Sequence, residues 1–449
     1  MKKKISVLIN NKIKKFKQGI TVESDKSISH RSLLIASQCI GTSRINNILE
    51  SEDVKNTMFC LKKLGVKILK KNKEYVVYGN GLGSFKKPKN NFLYAGNSGT
   101  LARMLFPLLG TQSNLKVKVG GDNSLNKRDM NRIIKPLSKI GCNFYPKNKT
   151  TLPLVIEGTN MPLAQKHFEK IGSAQVKSAI LLAALNTPGI TQIEVERNSR
   201  NHTENLLSAI NADIKIKKIK KGHLISLKGQ KDLFGFNLDI PGDASSAAPF
   251  VILALLTTNS KLQIKNVNCN LTRIGFINIL KKMNGNIKII NIKKKFGESI
   301  GDIIIKSSSL KPIKCSKDLV PYAIDEFPLL FIAASITKGI SKFSGIGELR
   351  HKESDRIKSI EFGLNQIGIK TKSTKDSLTI FGNPNIKIRK KLKIFSEGDH
   401  RIAMAFFCLA QLLNGKVEIE NFQTVNTSFP KFLLTMKKIG ATFEIKKKS

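Results

Sequence analysis

One unit of sequence recurs six times along this chain, and any fold must accommodate all six copies. In each, an amphipathic helical segment ending in Leu, Ile or Met runs into a stop residue and then an alternating, strand-like stretch. The copies read LKKLGVKI, LSKIGCNF, LSAINADIKI, LKKMNGNIKI, LNQIGIKT and MKKIGATFEI. Their stop residues are Gly65, Gly141, Ala212, Gly285, Gly368 and Gly440, spaced 76, 71, 73, 83 and 72 apart. Glycine after a last helical turn takes the left-handed conformation and releases the chain into a strand. Ala212 breaks the pattern, and Asn211 is the residue expected to be left-handed there.

A second helix recurs with the same period and is far more apolar. Its copies are Ser27–Ser37, Asn97–Leu109, Ser173–Leu185, Ser245–Leu256, Glu326–Ser335 and Asp399–Leu412. Apolar residues nearly all round predict a buried helix. Each opens on a cluster of Ser, Thr, Asn, Asp or Gly. Capping accounts for one such residue per helix, whereas these starts carry charged residues as well.

Each copy therefore reads strand, buried helix, strand, amphipathic helix, strand. The period is too long for a solenoid, and 449 residues exceed one core. The expected fold is α/β, in two similar domains of three units, each with buried parallel helices jacketed by sheets. The expected domains are 21–241 and 1–20 plus 242–449, crossing at Pro241-Gly242 and near Gly19-Ile20, with the active site in the cleft between them. Helix N-termini carry partial positive charge and free N–H groups, so three parallel helices aimed at one place attract anions.

The formal net charge of +45 invites a nucleic-acid reading. Against it, the basic residues run along the whole length without an arginine-rich arm. Trp is absent and Tyr numbers 5, which leaves few stacking platforms. No specific nucleic-acid partner is expected. No apolar run reaches the roughly 18 residues of a membrane span, and the apolar stretch within Met1–Asn10 is too short for a signal peptide. No membrane partner is expected either. The six cysteines are scattered without a CxxC pair, so reduced thiols in a cytoplasm are the default and structural zinc is not expected. Nothing in the chain offers a metal-ligand cluster, and no cofactor is expected.

Arginine is scarce. Of 77 basic residues 65 are Lys and 12 are Arg, and nine of the 12 fall in short polar segments that open or flank the apolar helices. They are Arg31, Arg103, Arg128, Arg132, Arg200, Arg273, Arg350, Arg356 and Arg401. The planar guanidinium fork binds carboxylate and phosphate bidentately where Lys offers a point charge. This points to a site for small, multiply charged anions.

The helix-start segments are specific enough to compare with a family. They are Asp25-Lys-Ser-Ile-Ser-His-Arg31, Gly96-Asn-Ser-Gly-Thr100, Gly121-Asp-Asn-Ser-Leu-Asn-Lys-Arg128 and Ser173-Ala-Gln-Val-Lys-Ser178 in the first half. The second half carries Pro241-Gly-Asp-Ala-Ser-Ser-Ala247, Asp325-Glu-Phe-Pro328, Lys352-Glu-Ser-Asp-Arg356 and Asp399-His-Arg-Ile-Ala-Met404. In order and spacing, from about residue 20 to Pro430, they resemble the 5-enolpyruvylshikimate-3-phosphate synthases, enolpyruvyl transferases of the shikimate pathway. Ser199-Arg-Asn-His-Thr-Glu204 and the Val425–Pro430 tail resemble the branch called class II.

The resemblance implies an inside-out α/β barrel, usually monomeric. It also implies a metal-free reaction joining the enolpyruvyl group of phosphoenolpyruvate to shikimate 3-phosphate with release of phosphate. Both substrates carry a carboxylate and a phosphate. Lys26, Arg128, Arg356 and Arg401 match the phosphoenolpyruvate-binding cations, with Gly99 and Gln175 beside them. Lys26, Ser27, Arg31, Ser173, Ala174, Gln175, Arg200, Asp325 and Lys352 match the shikimate 3-phosphate site. Asp325 and Glu353 match the acid–base carboxylates. Glu353 would protonate the methylene carbon, and Asp325 with Lys26 would take the hydroxyl proton. Lys352 and Arg356 flanking Glu353 favour its ionised form, so arriving anionic substrates would be needed to make it an acid.

Other residues read as structural. Asp243 is expected to be a helix cap or hinge residue, His30 and His400 to orient neighbours, and Arg103, Arg132 and Arg273 to support the site or to lie between the domains. Two departures from the family pattern stand out. Glu23-Ser24 replace the usual Pro-Gly, so Ser24 is expected to take either strained φ/ψ or a slightly altered path, and Asp129 replaces a Pro and is expected to compete for Arg128. Glycine at 99 implies sensitivity to the inhibitor glyphosate. The rival within the fold, a UDP-N-acetylglucosamine enolpyruvyl transferase, carries a Cys in the loop before the matching arginine, and Gly120–Lys127 holds none.

Overall fold

The computed structural model describes residues 4–388 and 390–448. Of the segment weighed as a leader, Met1–Lys3 lie outside the described residues, and Lys4–Ile9 form a strand. The six apolar segments are helices, here α1 (Lys26–Ala36), α2 (Gly99–Gly110), α3 (Ala174–Asn186), α4 (Ala244–Leu256), α5 (Phe327–Ser335) and α6 (His400–Leu412). Each is buried over nearly its whole circumference. Every residue of α5, and every residue of α4 up to Leu255, is buried. At roughly 1.5–3 kcal/mol for each large apolar side chain withdrawn from water, these helices contribute strongly to the two cores, together with the strands and amphipathic helices around them. None among the described residues is long and apolar enough to cross a membrane.

Around them lie six four-stranded sheets with one shared pattern. In one, Phe92–Tyr94 runs parallel to Lys116–Gly120, which pairs antiparallel with Leu154–Glu157, itself antiparallel to Asn143–Tyr145. Another repeats this with Lys166–Glu169, Ile190–Val195, His223–Lys228 and Ile214–Lys218. Each copy thus holds four strands where three are expected. The alternating stretch after the amphipathic helix is a hairpin, turning in the first copy at Asn72 with φ +54 between Lys67–Lys71 and Glu74–Asn80.

The left-handed residue after the amphipathic helix is Gly65, Gly141, Gly368 and Gly440 in four copies, with φ between +82 and +111. In the third copy it is Asn211, as expected, at φ +60. In the fourth it is Asn284 at φ +72, not Gly285. Asparagine tolerates this conformation through its short polar side chain.

The chain divides into two compact units, Met1–Glu23 with Gly242–Lys293 and Ser299–Ser449, and Ser24–Pro241 with Lys294–Glu298. Strand pairing explains why the N-terminal segment groups with the C-terminal half. Lys17–Thr21 runs parallel to Lys261–Asn268, and Lys4–Ile9 lies between Val417–Glu420 and Glu444–Lys448. Asn237–Asp239 likewise completes the sheet of Ile40–Asn46 in the other unit. The repeat gives no sign that residues 294–298 group with Ser24–Pro241. There Phe296 packs on Phe236, and Glu298 accepts from Asn205 at 3.0 Å and pairs with His202 at 2.8 Å. At the crossing Ser24 is not among the residues with positive φ, so the strain expected as one outcome of replacing a glycine is not there.

Candidate active site

In the unit built on Ser24–Pro241, Lys26 opens α1 behind the Asp25 cap, whose carboxylate accepts from the Ile28 N–H at 2.9 Å. The Lys26 ammonium lies 3.1 Å from the Asp53 carboxylate. One turn on, Arg31 is buried with every guanidinium nitrogen engaged. Nε donates to Thr203 at 2.8 Å, Nη1 to the Ser27 carbonyl at 2.9 Å, and Nη2 to Ser178 at 3.0 Å. Burial pushes its pKa down to about 10 against the pull of Glu204 and Asp25, so it stays charged at neutral pH. These acceptors are neutral, and the positive charge remains available to an anion.

Gln175, in the first turn of α3, ties that helix to α2. It accepts from Arg103 at 2.7 Å and donates to Thr100 at 3.2 Å. Ser173 caps α3 and Ala174 is its first residue. Arg200 is half-buried ahead of helix His202–Ala209, which a buried Lys177–Glu204 pair at 2.6 Å fastens to α3. Gly99 is the first residue of α2. Arg128 donates to Asn97 at 2.8 Å, and Asn97 donates to Asp122 at 2.7 Å. Asp129 accepts from the Asn131 N–H at 3.0 Å, a local turn contact in place of the expected competition for Arg128.

His30 is buried against Thr57 at 2.7 Å. Burial, with Lys26 and Arg31 nearby, lowers its pKa well below the ordinary 6.5. The unfolded chain therefore binds a proton below pH 6.5 that the folded chain refuses. Stability is complete above 6.5 and falls below it, by up to about 1.4 kcal/mol per pH unit for such a group. Urea titrations at pH 7.5 and 5.5 are expected to show this loss, with a smaller loss in His30→Gln. An equal loss in both would assign it elsewhere.

In the other unit, Lys352 and Glu353 stand on the loop between the turn Gly347–His351 and helix Arg356–Gln366. Asp355 caps that helix, accepting from the Lys358 N–H at 3.0 Å. Arg356, only 2% exposed, lies among three carboxylates. Nε donates to Asp399 at 2.8 Å, Nη2 to Glu353 at 2.6 Å, and Nη1 to Asp325 at 3.4 Å. Burial alone would lower its pKa, but Asp399, Glu353 and Asp325 outweigh burial and hold it above the ordinary arginine value. Lys352 is 3.8 Å from Asp325. Arg401, in the first turn of α6, faces Glu326 at 3.9 Å.

Three carboxylates on one guanidinium, two of them half-buried and one of these near an ammonium, give an arrangement chemically able to exchange protons. Residues 10–436 match the family model of EPSP synthase (3-phosphoshikimate 1-carboxyvinyltransferase). The chain belongs to the EPSP synthase family. It is 43% identical over 425 residues to the 3-phosphoshikimate 1-carboxyvinyltransferase of Petrotoga mobilis, covering 94% of this chain and 96% of that one. With the Zymomonas mobilis enzyme of the same name the figures are 38%, 98% and 97%. A solved EPSP synthase from Acinetobacter baumannii matches with a TM-score of 0.85 at 38% identity, over 99% of this chain and 100% of that one. The enolpyruvyl transferase NikO from Streptomyces tendae, at 11% identity and a TM-score of 0.77, shares the fold.

Within this EPSP synthase family member, the expected site residues also contact residues that the sequence did not single out for the site. Asp399 caps α6 through the Arg401 N–H at 2.8 Å while its other oxygen holds Arg356. Asp53 pairs with Lys26, and Thr203 and Ser178 orient Arg31. The Asp399 signal was there, an aspartate opening a helix-start motif, but such a residue is indistinguishable from a simple cap. Asp243 is such a cap, accepting from the Ser245 N–H at 2.7 Å and pairing with Arg273 at 2.8 Å.

Proposed function

We propose that this chain transfers the enolpyruvyl group of phosphoenolpyruvate to the 5-hydroxyl of shikimate 3-phosphate, with Glu353 and Asp325 as its acid–base pair. The observation that carries this reading is Arg356 bonded to both carboxylates at once. Forming the new C–O bond requires a proton on the methylene carbon and loss of one from the sugar hydroxyl. Expelling phosphate then requires the new methyl group to give a proton back. One carboxyl close to that carbon can serve both steps, and Glu353 takes this role. Asp325, beside Lys352, with Lys26 takes the hydroxyl proton.

Lys26, Arg128, Arg356 and Arg401 bind phosphoenolpyruvate, with Gly99 and Gln175 beside them. Ser27, Arg31, Ser173, Ala174, Gln175, Arg200 and Lys352 bind shikimate 3-phosphate with Asp325 and Lys26. The protein works as a cytoplasmic monomer on these small molecules alone.

In the free protein the Arg356 contact stabilises the Glu353 carboxylate. Two polyanions competing for the same cations loosen that hold and make Glu353 an acid. The acidic group governing kcat/KM is therefore expected to titrate at lower pH than the one governing kcat. Identical profiles would overturn this assignment.

A methyl group at Gly99 tests the phosphoenolpyruvate side. Its carbon would stand 3.1 Å from Nη1 of both Arg103 and Arg128. Displacing these flexible ends by a few tenths of an ångström is expected to raise the phosphoenolpyruvate KM in Gly99→Ala by about 5–30-fold. The shikimate 3-phosphate KM should stay within about twofold. An equal rise in both would contradict the assignment. The same methyl group would reduce glyphosate sensitivity.

A further inference from the structure

The start of α5 breaks the capping rule that α4 and α6 follow. Asp243 and Asp399 turn back to their own helices and accept from the N–H groups of Ser245 and Arg401. Glu326, in the corresponding place before Phe327, makes no such bond. Its side chain, 1% exposed, reaches sideways to both neighbouring helices. Oε1 accepts from the Ser245 hydroxyl of α4 and faces Nη1 of Arg401 of α6 at 3.9 Å. Glu326 thus stands where the first turns of three buried helices meet.

The Ser245 hydroxyl is itself held. Arg273 Nη2 donates at 2.8 Å to Ser245 Oγ and at 2.8 Å to Asp243. The hydroxyl accepts from Arg273 and donates its proton to Glu326, whose ionised carboxylate can only accept. Glu326 Oε2 and Arg401 Nε are both buried with no hydrogen-bond partner among the described residues. Arg401 is therefore held by charge at 3.9 Å, which leaves its fork to donate to a ligand. A neutral glutamine would satisfy Ser245 equally well, and burying a carboxylate is costly unless its charge is matched. Arg401 is the cation that Oε1 faces.

We infer that Glu326, fixed by Ser245 and Arg273, is a positioning residue that aims Arg401 at the phosphoenolpyruvate anion. This rests on the reading of Arg401 as a phosphoenolpyruvate-binding cation. Glu326→Gln keeps the size and the Ser245 bond and removes the charge. It is expected to raise the phosphoenolpyruvate KM roughly tenfold, with kcat and the shikimate 3-phosphate KM within about threefold. Ser245→Ala, which keeps both charges, should raise it about threefold and serves if Glu326→Gln does not fold. Arg401→Ala should raise it by about 100-fold or more, and adding Glu326→Gln should change nothing further. An unchanged phosphoenolpyruvate KM in Glu326→Gln, an equal rise for both substrates, or full additivity with Arg401→Ala would overturn the inference alone. An unchanged KM in Arg401→Ala would overturn the reading of Arg401 and this inference with it.

Discussion

Glu353→Gln is expected to lower kcat by about two to four orders of magnitude while leaving both KM values within roughly tenfold. Glutamine keeps the volume and can still accept from Arg356 Nη2, which reaches Glu353 at 2.6 Å in the native chain. What it cannot do is carry the proton to and from the methylene carbon. Steady-state kinetics separate the outcomes. A large rise in KM with kcat intact would make Glu353 a binding residue and move the acid–base role elsewhere. Asp325→Asn tests the partner carboxylate in the same way, with loss of kcat expected.

Arg356→Ala has the largest expected effect on stability. It removes the cation on which Asp399, Glu353 and Asp325 converge, and Asp399 is fully buried. Breaking a buried ion pair by deleting one partner costs about 3–5 kcal/mol, because the remaining charge has no counter-ion. For a domain of this size that corresponds to a fall in Tm of roughly 6–20 °C. Arg356→Lys should recover part of the stability and little of the activity, since one ammonium cannot hold three carboxylates as the planar fork does. Thermal unfolding of the two variants measures this. A Tm unchanged in Arg356→Ala would mean that the carboxylate cluster is neutralised by other groups.

Much of this architecture is legible in the sequence because two periodicities coincide. The buried helices run apolar all round, so their extents come within a few residues of the observed ones. The amphipathic helices end at left-handed residues. Two of the misreadings share one physical cause. In a chain rich in Lys and Asn, a hairpin turn at Asn72 looks like more of the same strand, and Asn284 takes the left-handed place beside a glycine that did not need it. Excursions such as residues 294–298 leave no periodic trace.

The site is legible in its residues and not in its pairings. Lys26, Arg31, Arg128, Arg356 and Arg401 are marked by their helix-start motifs, but many of their partners lie far along the chain. Arg356 meets Asp399 43 positions away, and Glu326 meets Ser245 81 positions away. An aspartate or glutamate before a helix reads as a cap, and only the fold distinguishes the two outcomes. Asp243 bonds its own helix, whereas Glu326 faces the helices beside it.

Phosphate release from phosphoenolpyruvate by the purified protein, with shikimate 3-phosphate or UDP-N-acetylglucosamine as acceptor, tests the central claim most directly. Release is expected with shikimate 3-phosphate, stoichiometric with 5-enolpyruvylshikimate 3-phosphate, and not with UDP-N-acetylglucosamine. Release with UDP-N-acetylglucosamine alone would contradict it.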